Sequence, residues 1–417
     1  MLLTTRPVTK GFVVLSLLSL SFHSLSLLSP SKAPVAPHCP PLGLSRMMSH
    51  KEAAGVNRAA ATGWSSVADL LDADPADLAT SCEPSRPRLA KDSAFASAVQ
   101  SAWRDERSSR RSASGRAAIV IEAMGAPLTY DCEEADGTVT ELHGFVVRPS
   151  ASEATIAGNN AVSSPPAEDA LLPGIILFHT GAGPQDIFLR WKAESLVADG
   201  AVFGDGGCIV LVADLVSDGT GWTWDDDRTR YDSVRGALLS TNAGDMGRPN
   251  LRRRVSSALR VLRDQPGVDM DNIAALGWCM GGHPILEISR MDDPGVRAVA
   301  TFHGVFDGVA LKHPPSVMSV DEAGKDGERG SRRRALICSG SDDPFVSKEQ
   351  LENCRRIFLS NGWDWTLLQL DGARHGFTNP AQDYNTNGAF AYNDVASKKS
   401  WDATRDLLKR SIGKGDS

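Results

Sequence analysis

Strand-length apolar runs recur along the chain at Gly174–His179, Cys208–Leu215, Ile273–Trp278, Ala298–His303, Ala335–Ser339 and Trp365–Leu370. Helical stretches separate them: Ile187–Ala198, the single face made by Leu251, Val255, Ala258, Leu259 and Leu262, then Lys348–Leu359 and Asn393–Leu408. A strand that is apolar on both faces must be covered on both faces, and strands alternating with helices are joined by crossovers. The pattern predicts an α/β fold: a mostly parallel sheet of about eight strands with helices on either side. Two further strands are expected upstream as a hairpin, Ala118–Glu122 and Val139–Arg148, the second alternating apolar and polar residues as a half-buried strand does. Residues 149–172 and the charged stretch Asp321–Arg334 read as surface loops.

The N-terminal part does not follow this grammar. Residues 1–50 contain no Asp or Glu, carry Arg6 and Lys10 early, and run through a Leu/Ser-rich apolar stretch from Phe12 to Leu28. They are expected to be a targeting segment, of secretory or organelle type, that takes the chain out of the cytosol. Ser residues and His23 interrupt the apolar run, so a permanent membrane span is not expected. Residues 51–117 are rich in Ala, Ser, Arg and Asp, with a weak helical pattern near Val67–Leu78. They are expected to form a poorly ordered linker, leaving 118–412 as the folded domain.

Composition narrows function mainly by exclusion. The net charge of −7, with no basic stripe carrying interleaved aromatics, gives no reason to expect a nucleic-acid partner. The seven cysteines show no CxxC pair and no regular spacing, so neither a zinc site nor a disulfide scaffold is predicted. No metal or other cofactor is expected. Oligomeric state is not legible.

The chemistry concentrates in three short motifs that each follow a strand. Gly277-Trp278-Cys279-Met280-Gly281-Gly282 lies between a strand and a helix, the setting of the Gly-x-nucleophile-x-Gly elbow. A turn that sharp strains the nucleophile backbone and crowds its neighbours, so glycine is needed on both sides. The positive end of the next helix then favours thiolate over thiol at Cys279. Gly340-Ser341-Asp342-Asp343-Pro344-Phe345-Val346 follows a later strand and offers an acid; the Asp-Pro-Phe-Val setting favours Asp343, with Asp342 as its competitor. Asp371-Gly372-Ala373-Arg374-His375-Gly376-Phe377 follows the strand after that and supplies a base, His375. An oxyanion hole is expected from the backbone N–H of Met280 and a second N–H in His179-Thr180-Gly181-Ala182-Gly183-Pro184, with Gly181 the candidate.

These three motifs resemble those of the dienelactone hydrolase family, also called carboxymethylenebutenolidases, and the resemblance extends over roughly Leu128–Leu408, including Phe302-His303-Gly304. It implies a single α/β-hydrolase domain and a Cys-His-Asp triad, here Cys279, His375 and Asp343, acting without cofactor or metal on small esters or enol lactones. One position departs. Well-known members carry a Glu near the thiol in the loop after the first parallel strand, where this chain has His179-Thr180. Thiol activation is therefore expected to rest on His375 and the helix dipole. Thr180, Arg374 and Trp222 are candidate substrate contacts, with Trp224 a second candidate wall of the pocket. The same triad also serves thioesterases, peptidases and acyltransferases, and a catalytically silent ligand-binding protein is the reading from a different class.

Overall fold

In the computed structural model, residues 66–80, 88–113, 126–149, 171–216, 228–241, 247–308 and 333–413 are described. The expected targeting segment, strand Ala118–Glu122, most of the 149–172 loop, Trp222, Trp224 and residues 321–332 lie outside them.

Eight strands form one sheet: β1 (Ala126–Glu133), β2 (Val139–Val147), β3 (Leu172–Phe178), β4 (Ile209–Ala213), β5 (Val268–Trp278), β6 (Val296–Phe302), β7 (Arg333–Gly340) and β8 (Trp363–Leu370). Their spatial order is β1-β2-β4-β3-β5-β6-β7-β8. β1 and β2 pair antiparallel, as do β2 and β4, and every other pair is parallel. This is the α/β-hydrolase architecture expected from the alternation. The hairpin partner of β2 is Ala126–Glu133, downstream of the segment expected from the sequence.

The period of two explains why the parallel strands read as continuous apolar runs. In β3, Ile175 and Leu177 enter one core while Ile176 and Phe178 enter the other. In β5, Ala274, Leu276 and Trp278 face the first core and Ile273 and Ala275 the second. Covering helices on the first face include α4 (Ile187–Val197) and, at the C-terminus, α10 (Asp394–Ser411); on the second lie α7 (Pro249–Arg263), α8 (Gly282–Arg290) and α9 (Lys348–Ser360). The short α5 (Gly200–Phe203) leads into β4, and α6 (Arg228–Leu239), which periodicity did not single out, packs beside α7.

The expectation of a poorly ordered linker over 51–117 does not hold for its described part. Residues 66–113 form α1 (Val67–Asp72), α2 (Pro75–Thr80) and α3 (Ser93–Ala113), with 81–87 outside the description. Val67, Leu70, Leu78, Leu89, Phe95, Val99 and Trp103 are buried in the same core as α4 and β3. Ser66 caps α1 reciprocally with Asp69. The few apolar residues are diluted by Ser and Arg, and their partner surface exists only in the tertiary structure.

Chain order sets where a site can form. β4 lies on one side of β3 and β5 on the other, so connections diverge at β3. In open parallel sheets the crevice at such a switch point, beyond the carboxyl ends of the strands, takes the ligand. Phe178 is level with Gly277, Trp278 with Phe302, and Phe302 with Cys338, so the loops after β3, β5, β6 and β7 emerge along one edge.

Candidate active site

Cys279 stands at the end of β5, where a single 3₁₀ turn, Cys279–Gly281, leads into α8. Its φ is +54°, in the left-handed region that a residue with a Cβ enters at a cost of about 1–2 kcal/mol. Close packing enforces that conformation. A Cβ on Gly277 would overlap the carbonyl of Gly281, and one on Gly281 would come 2.7 Å from the carbonyl oxygen of Phe178. The Cys279 carbonyl accepts from the Val305 N–H at 2.8 Å, which ties the elbow to the loop after β6. The residue as a whole is half-buried.

His375 and Asp343 come together as the chain order implies. The imidazole Nδ1 lies 2.8 Å from Oδ2 of Asp343, and both residues are buried. The other carboxylate oxygen of Asp343 accepts from the Phe345 N–H at 2.9 Å, so each oxygen has a donor. Asp342 is exposed and accepts from Ser341 Oγ at 2.8 Å. The His375 loop is clamped by the Ala389 carbonyl, which accepts its N–H, and by the Ala391 N–H, which donates to its carbonyl.

Electrostatics couple the thiol to this pair. Burial works against a charged imidazole, but the sulfur of Cys279 beside it and the Asp343 hydrogen bond outweigh burial and push His375 up to about 10. At Cys279 burial disfavours the thiolate, and the neighbouring imidazolium, hydrogen-bonded to the sulfur, still brings the thiol below its ordinary value. The backbone N–H groups of Gly181 and Met280 also donate toward the sulfur. Each group thus favours the charged form of the other. The other described thiols behave oppositely: burial pushes Cys132, Cys208, Cys338 and Cys354 up.

The loop after β3 presents Gly181 through a local turn. The Thr180 hydroxyl accepts from the Ala182 N–H at 3.0 Å and its carbonyl from the Gly183 N–H at 3.2 Å. The Thr180 side chain is thereby used within its own loop. His179 does not replace the family Glu at the thiol. It is fully buried, its Nε2 accepts from the Leu215 N–H at 3.0 Å, and its Nδ1 lies 2.6 Å from the Thr180 carbonyl. Nδ1 must carry the proton, so the ring joins the ends of β3 and β4 as a neutral bridge, and burial holds its pKa down. Arg374 is exposed, with its guanidinium donating to the Gly388 carbonyl at 3.0 Å.

The structure adds residues that motif reading did not assign. His303 follows β6 with φ of +43°, is buried, and sets its ring edge-on to His375 with centroids 4.7 Å apart. Phe345 and Phe390 also stand edge-on or nearly so to that imidazole, at 4.9 and 5.3 Å. Burial and the charge on His375 keep His303 neutral. A polar residue at the carboxyl end of an apolar parallel strand was the available signal for His303. On the other side of the elbow, Arg235 makes two bonds to Asp307, at 2.8 and 2.9 Å, and Asp307 lies 3.1 Å from Nε2 of buried His283. Among the described residues, no cluster of His, Cys, Asp and Glu has the arrangement of a metal site.

The sequence model of the dienelactone hydrolase family matches residues 161–412. The chain belongs to that family. An uncharacterized protein of Caenorhabditis elegans is 28% identical over 162 residues, which is 39% of this chain and 94% of its own length. A probable 2-oxo-3-(5-oxofuran-2-ylidene)propanoate lactonase of Bradyrhizobium sp is 23% identical over 155 residues, 37% of this chain and 57% of its own. Among solved structures, a dienelactone hydrolase-like promiscuous phosphotriesterase from metagenomic libraries is 26% identical with a TM-score of 0.47, covering 69% of this chain and all of its own. The structure of m3DLH is 28% identical with a TM-score of 0.49 and the same coverage. Family membership makes the chain a hydrolase of the carboxylic-ester type. No helix among the described residues is long and apolar enough to cross a membrane.

Proposed function

We propose that this member is a cysteine hydrolase of small esters or lactones that works through a thioester. The observation that carries the reading is the Cys279–His375–Asp343 arrangement at the switch-point edge of the sheet, with two backbone N–H groups turned toward the sulfur. The thiolate attacks the carbonyl carbon, and the N–H groups of Gly181 and Met280 receive the developing oxyanion. As the tetrahedral species collapses, the C–O bond breaks and the imidazolium of His375 gives its proton to the leaving oxygen. In a lactone that oxygen stays tethered to the acyl group. Water then attacks the thioester, His375 takes its proton, and Cys279 leaves as thiolate with the acid as product. Asp343 holds the imidazole with its Nε2 toward the sulfur throughout. The lactonase name of the Bradyrhizobium relative supports placing lactones first in a substrate search.

A panel of aryl esters, lactones and acyl thioesters, compared by kcat/KM for the parent and Cys279→Ala, tests this. Hydrolysis by the parent is expected, with an acyl adduct on Cys279 in mass spectra after acid quenching. Equal turnover by Cys279→Ala, or an adduct on another residue, would overturn it.

A further inference from the structure

Helices α1–α3 precede the segment that matches the family, yet they are built into the body of the domain. Every residue of α4 is buried, including Arg190, Lys192, Glu194 and Ser195. A helix lying on a sheet ordinarily leaves one stripe in water. Here α3 covers that stripe, and it does so with specific bonds. The Glu194 carboxylate accepts from Trp103 Nε1 at 3.2 Å, from Arg107 at 3.3 Å and from Arg110. In the other direction, Glu106 accepts from Trp191 Nε1 at 2.9 Å and Ser195 Oγ at 2.6 Å. Leu89, just before α3, takes the Ile187 N–H at 2.9 Å, one of the free donors at the start of α4. Glu194 buried without its donors would be costly, which favours the docking of α3 on α4.

The same module reaches the base. Phe95 and Val99 of α3 share a small cleft with Asp186 and Ile187 at the head of α4 and with Ala381 and Gln382. The last two belong to the 3₁₀ turn Pro380–Tyr384 that follows the His375 loop. Gln382 in turn lies against Gly376: a Cβ there would meet its Cγ at 2.8 Å, and Gly376 has a φ of +75°. Gly376 is bonded to His375. Around that cleft α3 packs against the Pro380–Tyr384 turn, with Phe95, Val99 and Ala381 in one core, and Gln382 of the turn lies against Gly376, the residue after His375; the cleft also reaches the start of the helix that follows the Gly181 loop.

We propose that α1–α3 are a positioning element for His375, holding the base against the thiol by filling the space behind the Pro380–Tyr384 turn. The inference rests on the cysteine-hydrolase reading, since it assigns α3 a task only if His375 works on Cys279. Asp343 fixes one nitrogen of the ring; the turn behind the loop fixes how deep the ring sits. A base displaced by about 1 Å can cost on the order of 100-fold in rate.

The test uses the full chain and two readouts: kcat and KM on an aryl ester, and the pH dependence of Cys279 alkylation by iodoacetamide, read by mass spectrometry without any substrate. Phe95→Ala is expected to lower kcat by at least about tenfold with KM little changed, and to move the alkylation midpoint upward as the imidazolium recedes. Phe95→Leu, which refills most of the volume, is expected to restore both. Val99→Ala, a smaller truncation that keeps the fold if Phe95→Ala does not, is expected to move both readouts in the same direction. Folded Phe95→Ala or Val99→Ala with the parent's kcat and midpoint would sink the positioning role while leaving the nucleophile assignment standing. A parent whose Cys279 alkylates no more readily than Cys132 would sink both.

Discussion

At the residue scale, the site depends on which of two adjacent carboxylates meets the imidazole. Asp343 is buried with one oxygen on His375 and the other on a backbone N–H, whereas Asp342 is exposed and bonded to Ser341. Asp343→Asn is therefore expected to lower kcat by roughly 100- to 10,000-fold, because an amide can present its N–H to Nδ1 and favour the wrong tautomer. Asp342→Asn is expected to leave kcat within about twofold. Steady-state rates on one aryl ester decide it, and equal losses would put the acid assignment in error. The places of Cys279 and His375 in the fold were legible because each lies in a short motif directly after a strand. Arg374 shows where such reading stops. Its guanidinium bonds to a distant carbonyl, that of Gly388, which no local motif announces.

At the element scale, the strand–turn–helix elbow works because three pieces of backbone nearly touch. Gly281 packs against the end of β3 through the Phe178 carbonyl, and Gly282 lies within 2.8 Å of Val305 once a Cβ is imagined on it. Gly281→Ala is expected to destabilise the fold by about 1–3 kcal/mol through overpacking and to depress kcat, since relief must come from moving the turn that carries Cys279. Thermal unfolding and steady-state rates check it together; an unchanged melting temperature would mean that β3 and the turn can part without cost. The element that sequence analysis misjudged is α3 with its two short predecessors. Composition marked 51–117 as linker because Ser, Arg and Ala dominate it, but Phe95, Val99 and Trp103 fall at spacings of four, which puts them on one helical face. That spacing acquires meaning only against α4, whose outer stripe carries Trp191, Ser195 and the Glu194 carboxylate.

At the scale of the whole molecule, several imidazoles are buried without charge, and this sets a pH dependence of stability. Burial, with Arg248 donating to its Nδ1, holds His283 at about 4 although the Asp307 carboxylate nearby opposes that. Between about pH 6.5 and pH 4 the unfolded chain binds a proton that the folded His283 refuses, so stability is full above that window and is lost as pH falls through it. A shift of this size corresponds to about 3 kcal/mol. Buried His179 and His303, both also held below their ordinary value by burial, add in the same direction. Thermal unfolding followed from pH 7 to pH 4 is expected to show a falling melting temperature, less steep in His283→Gln. A variant curve parallel to that of the parent would remove His283 as a source.

The boundary between what is local and what is tertiary falls along the same lines. Strand and helix alternation, the mostly parallel sheet and the tight strand-to-helix turn at Cys279 are properties of short segments, where periodicity and steric demand act between neighbours, so the sequence by itself determined them. The β1–β2 hairpin took a different first strand, Ala126–Glu133, because strand pairing is chosen by register with a partner and by the burial of Tyr130 and Cys132. The neutral bridge of His179, the edge of His303 against His375 and the docking of α1–α3 behind the base all join residues far apart in the chain. Those contacts are decided by burial and by which polar groups must find partners once water is excluded, and only the tertiary structure states that.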